Sequence, residues 1–312
     1  MNDITVYTQN QIQQKQTLRA DMFNSFIAYL DTSEKTVQTY TRALKQLFKY
    51  LAINNIQHPQ RADILAFRDD LKATGKKPTT VQNYITATKI FFKWTDQEGL
   101  YPNIAENIKG AKLNRDHKKD YLTATQAKEI INSIDTSTLK GLRDYAIIVL
   151  MTTGGLRTIE VSRANIEDLR TIGGNTVLFI QGKGKEEKTD YVKISPQVEK
   201  AIRAYLRDRG KTSEDSPLFA STSNNNKGKR LTTRTISGIV KETFKKAGYD
   251  SDRLTAHSLR HTAVTLSLLA GKDITEVQQF ARHANISTTM IYNHSLDKAK
   301  NTCSEAITEV LF

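Results

Sequence analysis

Residues 254–294 read LTAHSLRHTAVTLSLLAGKDITEVQQFARHANISTTMIYNH. His257, Arg260, His261, Arg282, His283, Tyr292 and His294 stand in this stretch, which holds four of the chain's six histidines. Arginines, imidazoles and a tyrosine, with no cysteine or carboxylate cluster among them, suit a phosphate anion better than a metal ion. An apolar helical period runs beneath them. His257 and Arg260 are three residues apart in the first turn of a helix that Thr255 or Ala256 precedes. They therefore share a face and can grip one anion with help from the helix dipole. Ala263, Val264, Leu266, Leu268 and Leu269 bury that helix, and a second one follows the Gly271 break, from 273 to 281, with His283 at its end. On an unbroken helix of 3.6 residues per turn, His283 and Tyr292 would face opposite sides. They converge only if the helix breaks, and Asn285-Ile286-Ser287-Thr288 offers the break, with Ser287 as the expected cap of a new helix. Tyr292 is thus expected on a separate, movable helix.

Upstream, 142–152 (LRDYAIIVLMT) is nearly all apolar and long enough for a buried core helix. It ends at Thr153-Gly154-Gly155, and Arg157 and Glu160 follow at a spacing of three that lets them pair on a helix. An arginine leaving that turn beside a core helix can reach a site at the mouth of the domain. Val177-Leu178-Phe179-Ile180 and Tyr191-Val192-Lys193-Ile194 are β-rich runs joined by GKGKEEKTD, a hairpin whose tip presents Lys183, Lys185 and Lys188. Such a lysine can be carried into a site or remain in solvent. Thr123 or Thr125 caps a helix through Ile131, and further helices span 197–209 and 232–248.

The N-terminal third has the same helical signature. Met22, Phe23, Phe26, Ile27 and Leu30 share a face, as do Val37, Tyr40, Leu44, Leu47, Phe48 and Leu51. A third helix covers 61–73, and Pro78 opens a fourth bearing Val81, Tyr84, Ile85, Thr88 and Phe92. Residues 1–17 show no period and are read as a flexible tail, 18–108 as a helical domain, 109–120 as a basic linker and 121–312 as a second domain. Arg42, Lys45, Lys49, Lys76, Lys77, Lys89 and Lys93 decorate the first domain and either suit DNA backbone contacts or form an ordinary solvated face, which is the commoner case for such charges seen alone. Lys112, Arg115 and Lys118 sit in the linker, which either closes over DNA or is an ordinary exposed tether. An amphipathic tail, 296–312, packs on its own domain or docks on a neighbour.

Composition narrows the partners. Against 33 Asp and Glu stand 46 Lys and Arg, a net charge of +13 that favours a polyanion. The single cysteine, Cys303, excludes an internal disulfide framework and a multi-cysteine zinc site. No run approaches the roughly 18 apolar residues of a membrane span. The first twenty residues are polar and Gln-rich rather than signal-like, so a cytoplasmic protein without a membrane partner is expected.

With TGGLRTIEV around Arg157, GKGKE around Lys183, HSLRHT around His257 and Arg260, RH at His283 and MIYNH around Tyr292, in this order, the chain resembles a tyrosine recombinase of the phage-integrase and Xer family. The resemblance implies a mainly α fold with a small antiparallel β-sheet: an N-terminal helical core-binding (SAM-like) domain plus a C-terminal α+β catalytic domain. It implies that Tyr292 attacks a DNA phosphate to form a 3′-phosphotyrosyl link, that Arg157 and Arg260 hold the phosphate oxygens, and that Glu160 supports the arginines. Lys183 would protonate the leaving 5′-oxygen, although Lys185 stands two residues away on the same tip. His257 and His283 would donate hydrogen bonds to the phosphate. A tyrosine of ordinary pKa must lose its proton on attack, and His257 is the expected acceptor. His261 and His294 are expected to be structural or to stand behind the site. The covalent link conserves the bond energy, so no cofactor, metal or ATP is expected. The implied partners are double-stranded DNA with inverted-repeat core sites and a homotetramer on two such sites, with room for an accessory directionality factor. Arg282 departs from the pattern, standing where the family usually has glycine. Integration or excision of a mobile element is the leading reading, Xer-type chromosome dimer resolution its nearest variant, and type IB topoisomerase-like relaxation the rival class, which the core-binding domain disfavours. A DNA-binding protein without catalysis is a further alternative, opposed by candidates at every catalytic position.

Overall fold

Apolar residues at spacings of three and four in the N-terminal third build α1 (Ala20–Tyr29), α2 (Glu34–Ile53), α3 (Arg61–Ala73) and α4 (Pro78–Gln97). The computed structural model describes residues 17–113, 120–182, 184–299 and 302–312, and the chain divides into two compact units, Met1–Arg115 and Asp116–Phe312. Ser33 caps α2 by accepting from the Thr36 amide, and Pro78 opens α4 at a position whose N–H would have no helical partner. Phe26, Leu44, Leu47, Ile64, Phe67, Val81, Phe91 and Phe92 are all but fully buried in the core of this unit. Phe91 lies at its centre, edge-on to Phe26 at 5.3 Å and to Phe48 at 5.7 Å. Such pairs favour this tilt because the positive ring edge meets the negative face.

The chain beyond α4 stays with this unit further than composition suggests. Tyr101, Ala105 and Ile108 are buried, Ala111 packs against the same core, and Arg68 of α3 donates to the Lys109 carbonyl at 3.2 Å. The basic run of 109–120 therefore starts as part of the first unit, because its backbone carbonyl is taken by an arginine rather than by water. Arg42, Lys45, Lys49, Lys76, Lys77, Lys93 and Lys112 are exposed and Lys89 is half-buried. Arg115 and Lys118 lie outside the described residues, as do 1–16 of the expected tail.

The second unit is assembled around a helix whose C-terminal half is apolar on every side. Its helices are α5 (Ala124–Asn132), α6 (Leu139–Gly154), α7 (Thr158–Arg163), α8 (Pro196–Arg209), α9 (Thr233–Lys246), α10 (Ala256–Leu269), α11 (Ile274–Ala281), α12 (Ile286–Ala299) and α13 (Cys303–Leu311). In α6 every residue from Ala146 to Thr152 is buried, as a helix without a polar face must be. Between α7 and α8 lies an antiparallel sheet of β1 (Leu169–Ile172), β2 (Asn175–Ile180) and β3 (Asp190–Lys193), in that order. Leu178 pairs with Leu169 and Val192, and with Ile180 these residues give the sheet its apolar inner face. β1 is not expected from the sequence, because a strand four residues long, edge-placed and mostly exposed lacks apolar alternation.

Of the two expected caps of α5, Thr123 is the one in place, and three other expectations are not met. The cap of α12 is Asn285, whose Oδ1 accepts from the Ser287 amide at 2.8 Å, while Ser287 lies inside the first turn. Leu269 is exposed near the C-terminus of α10. The tail is not one helix from 296: Leu296 is buried as part of α12, and α13 is a separate element with no buried residue.

Candidate active site

Three elements meet where the Gly154-Gly155 turn ends α6. Gly155 takes the left-handed conformation at φ 57°, and a Cβ there would come within 3.2 Å of the Phe280 ring of α11. Glycine is thus required both by the turn and by close approach. The next residues start α7 with Arg157 as N-cap, so the arginine leaves the helix end rather than its side. The Glu160 carboxylate turns back to accept from the Arg157 amide and, at 2.8 Å, from its guanidinium.

Glu160 is fully buried and is shared. Its second oxygen accepts from Arg282 at 3.0 Å, so one carboxylate holds Arg157 from α7 and Arg282 from the end of α11. Burial pushes the Glu160 carboxyl up, but Arg282 and Arg157 outweigh it and hold it below the ordinary value. Arg260, in the first turn of α10, is almost wholly buried and donates to the Gly155 carbonyl at 2.5 Å and to the Ala281 carbonyl. Burial and the neighbouring Arg157 and Arg282 press its pKa down to about 9. Three guanidinium groups thus face one carboxylate, with a surplus of two positive charges in a largely desolvated place. Such a surplus is costly without an anion and favours binding one.

Tyr292 on α12 closes the other side. Its ring is buried in a small cluster with Val264, Val277 and Ala281, and burial pushes its hydroxyl up to about 12 against the pull of Arg260 and Arg157. Nδ1 of His261 is hydrogen-bonded to that hydroxyl. The His261 ring stands 5.2 Å from the tyrosine ring and 5.3 Å from that of His257, which is exposed at the start of α10. His283 stacks nearly parallel to Tyr292 at 6.2 Å, and its Nδ1 is hydrogen-bonded to Oγ1 of the buried Thr289 at 2.9 Å.

Arg157, Glu160, His257, Arg260, His283 and Tyr292 therefore belong to one constellation built from α7, α10, α11 and α12. Lys183 lies outside the described residues. The other two lysines of its loop are engaged: Lys185 with Asp190 at 2.7 Å and Lys188 with the buried Asp168 at 2.5 Å. His261, expected from sequence to be structural or to stand behind the site, meets the phenol. Thr289 has no signal in the sequence, and Arg282 stands out there only as a departure. A signal existed for His261, which lies one residue after Arg260 and one turn after His257, so that α10 turns both imidazoles toward one end. Among the described residues no cluster of histidine, cysteine and carboxylate could hold a metal ion, and no helix is long and apolar enough to cross a membrane.

A helical N-terminal unit followed by an α+β unit that gathers arginines, imidazoles and a buried tyrosine defines a class, the enzymes that exchange DNA strands through phosphodiester chemistry. The phage integrase family model matches residues 120–299, and the model of the phage integrase N-terminal SAM-like domain matches 9–99. The chain is 32% identical over 282 residues to tyrosine recombinase XerA of Pyrococcus furiosus, covering 89% of this chain and 91% of that one. To tyrosine recombinase XerC of Thermodesulfovibrio yellowstonii it is 29% identical over 273 residues, 84% of this chain and 86% of the relative. Among solved structures, the XerH recombinase in a post-cleavage complex with a palindromic difH substrate has the same fold, at a TM-score of 0.72 and 23% identity over 88% of this chain and 80% of that one. The chain belongs to the phage integrase family and is a DNA strand-exchange enzyme of the tyrosine recombinase type.

Proposed function

We propose that this recombinase cuts and rejoins DNA at specific sites through Tyr292, and that its task is the integration or excision of a mobile element. The observation that carries the chemical reading is the surplus of positive charge around Glu160 beside a buried tyrosine hydroxyl. A scissile phosphate held by Arg157 and Arg260 would neutralise that surplus, and planar guanidinium groups match its oxygens better than lysine could.

The Tyr292 oxygen attacks phosphorus, its proton passes to Nδ1 of His261, and the new P–O bond forms as the bond to the 5′-oxygen breaks. The leaving oxygen takes its proton from Lys183, the lysine that matches the family's GKGKE motif. The products are a 3′-phosphotyrosyl link and a 5′-hydroxyl, and reversal with a new 5′-hydroxyl rejoins the strand. His261 suits the base better than His257 because it already shares a hydrogen bond with the phenol, provided its proton rests on Nε2. His283, hydrogen-bonded to Thr289, and His257 donate to the phosphate in this reading.

The basic surface of α2, the turn between α3 and α4, and α4, with Arg42, Lys45, Lys76, Lys77 and Lys89, is read as backbone-contacting. A homotetramer on two inverted-repeat sites follows if α13 docks on a neighbour, an arrangement supported by its apolar face, with Ile307, Val310 and Leu311 exposed. Xer-type resolution of chromosome dimers is the second reading, favoured by near full-length similarity to XerA and XerC. Nicked suicide duplexes tiled across the DNA flanking the gene test the proposal. Wild-type protein should form a covalent adduct on the attachment repeats and Tyr292→Phe should form none. An adduct with Tyr292→Phe sinks the site assignment, and adducts on the chromosomal resolution site alone favour the second reading.

A further inference from the structure

Three non-glycine residues take a positive φ among the described residues: Asn55, Asn107 and Arg282. Asparagine tolerates that region through its short polar side chain, whereas an arginine there sets its Cβ against the following carbonyl. Arg282 ends α11 at φ 54° and ψ 47°, the place in a helix-ending turn that glycine fills most readily. Its amide bonds back to the Gln279 carbonyl at 2.9 Å and that of His283 to Gln278 at 3.1 Å, which completes the turn. The chain thus retains a long charged side chain at a position that disfavours any side chain.

What the side chain does there is to hold three parts of the site at once. Nη1 donates to the Phe280 carbonyl at 2.7 Å, and Nη2 to the Gly155 carbonyl and to Glu160, each at 3.0 Å. The Arg282 carbonyl accepts from Arg157 at 3.3 Å, and that of Ala281 accepts from Arg260. Three successive carbonyls at the end of α11 are therefore taken by three different arginines, two of which also share the Gly155 oxygen. This is also the negative end of the α11 dipole, where cations are stabilising. Four residues later α12 begins, and the small cluster that holds it against α10 buries four apolar residues, Tyr292 among them.

The geometry points to Arg282 as a positioning residue for strand cleavage: by tying the left-handed turn after α11 to Glu160 and Gly155, it sets the direction in which α12 carries Tyr292 toward Arg157 and Arg260. Its terminal nitrogens are aimed at protein oxygens, so it acts through Tyr292 rather than on the phosphate. The inference rests on the reading of Tyr292 as nucleophile. It predicts that the residue best suited to the backbone, glycine, is the wrong one for the reaction.

The test compares full-length wild type, Arg282→Gly and Arg282→Lys by single-turnover adduct formation on the suicide duplex cleaved by wild type, by duplex affinity, and by amide hydrogen exchange without DNA. Arg282→Gly is expected to bind the duplex within about twofold of wild type yet form adduct roughly 10- to 100-fold more slowly, as misplaced reacting groups do. Exchange should quicken across 283–299 and stay unchanged across 146–152, and Arg282→Lys should recover part of the rate. Wild-type cleavage with an undiminished Arg282→Gly rate, or a loss confined to duplex affinity, overturns the inference. If glycine unfolds the unit, so that 146–152 exchange as well, the lysine variant decides alone: folded with a slowed rate it supports the inference, and with a wild-type rate it overturns it. No adduct from wild type on any duplex overturns the underlying reading of Tyr292, and the inference with it.

Discussion

Replacing His261 by glutamine keeps a hydrogen-bonding side chain beside the Tyr292 hydroxyl but removes its basicity. The phenol stands at about 12 because it is buried. Ionising it unaided at pH 7 costs about 7 kcal/mol at 1.36 kcal/mol per unit, against about 4 kcal/mol for an ordinary phenol. A positioned general base typically supplies 10²- to 10⁴-fold, or about 3 to 5 kcal/mol, which covers much of that deficit. We therefore expect His261→Gln to slow single-turnover adduct formation by roughly 10²- to 10⁴-fold at pH 7, with little change in duplex affinity. The pH dependence carries the stronger information. With no base, the rate depends on the phenolate fraction, which climbs about tenfold per pH unit below a pKa near 12. The gap to wild type should narrow steadily between pH 7 and pH 10. A constant gap would mean that His261 only shapes the site, and a variant within about threefold of wild type at pH 7 would refute its role as base. His257→Gln run in parallel separates the two imidazoles: if it shows the narrowing gap instead, the proton goes to His257.

Two further outcomes are expected. Glu160→Gln leaves Arg157 and Arg282 without their shared buried counter-charge, and loss of one partner of a buried pair costs about 3 to 5 kcal/mol, which for a unit of this size lowers Tm on the order of 10 °C. Because the folded Glu160 pKa lies below its ordinary 4.5, wild type has this stabilisation in full above about pH 4.5 and loses it as pH falls through the folded value, so the stability gap between wild type and variant should close in acid. Deleting 302–312 removes α13, which buries no residue, so Tm and single-site DNA binding should hold while tetramer assembly on paired sites falls; unchanged assembly, measured by light scattering with DNA, would reject trans docking.

Much of the architecture was legible along the chain because it is decided locally. Helix periodicity, the Pro78 start and the Gly154-Gly155 stop act over one or two turns, and the elements they predict are present. β1 escaped because a short edge strand has no apolar alternation to read. The division of the tail between α12 and α13 escaped because Leu296 and the apolar residues of α13 continue one helical period, although Leu296 is buried on α12 and α13 is not buried at all.

The sequence by itself determined which residues could handle a phosphate: the arginines, histidines and tyrosine of 254–294, the Arg157–Glu160 pair, and the need for a break before Tyr292. Only the tertiary structure decided how they divide the work. The contact of His261 with Tyr292 spans 31 residues and that of Arg282 with Glu160 spans 122, and no local pattern encodes either. Both depend on a left-handed turn and on burial. Burial is a property of the whole packed unit: it raises the phenol, lowers Arg260 and makes a single carboxylate serve two guanidinium groups.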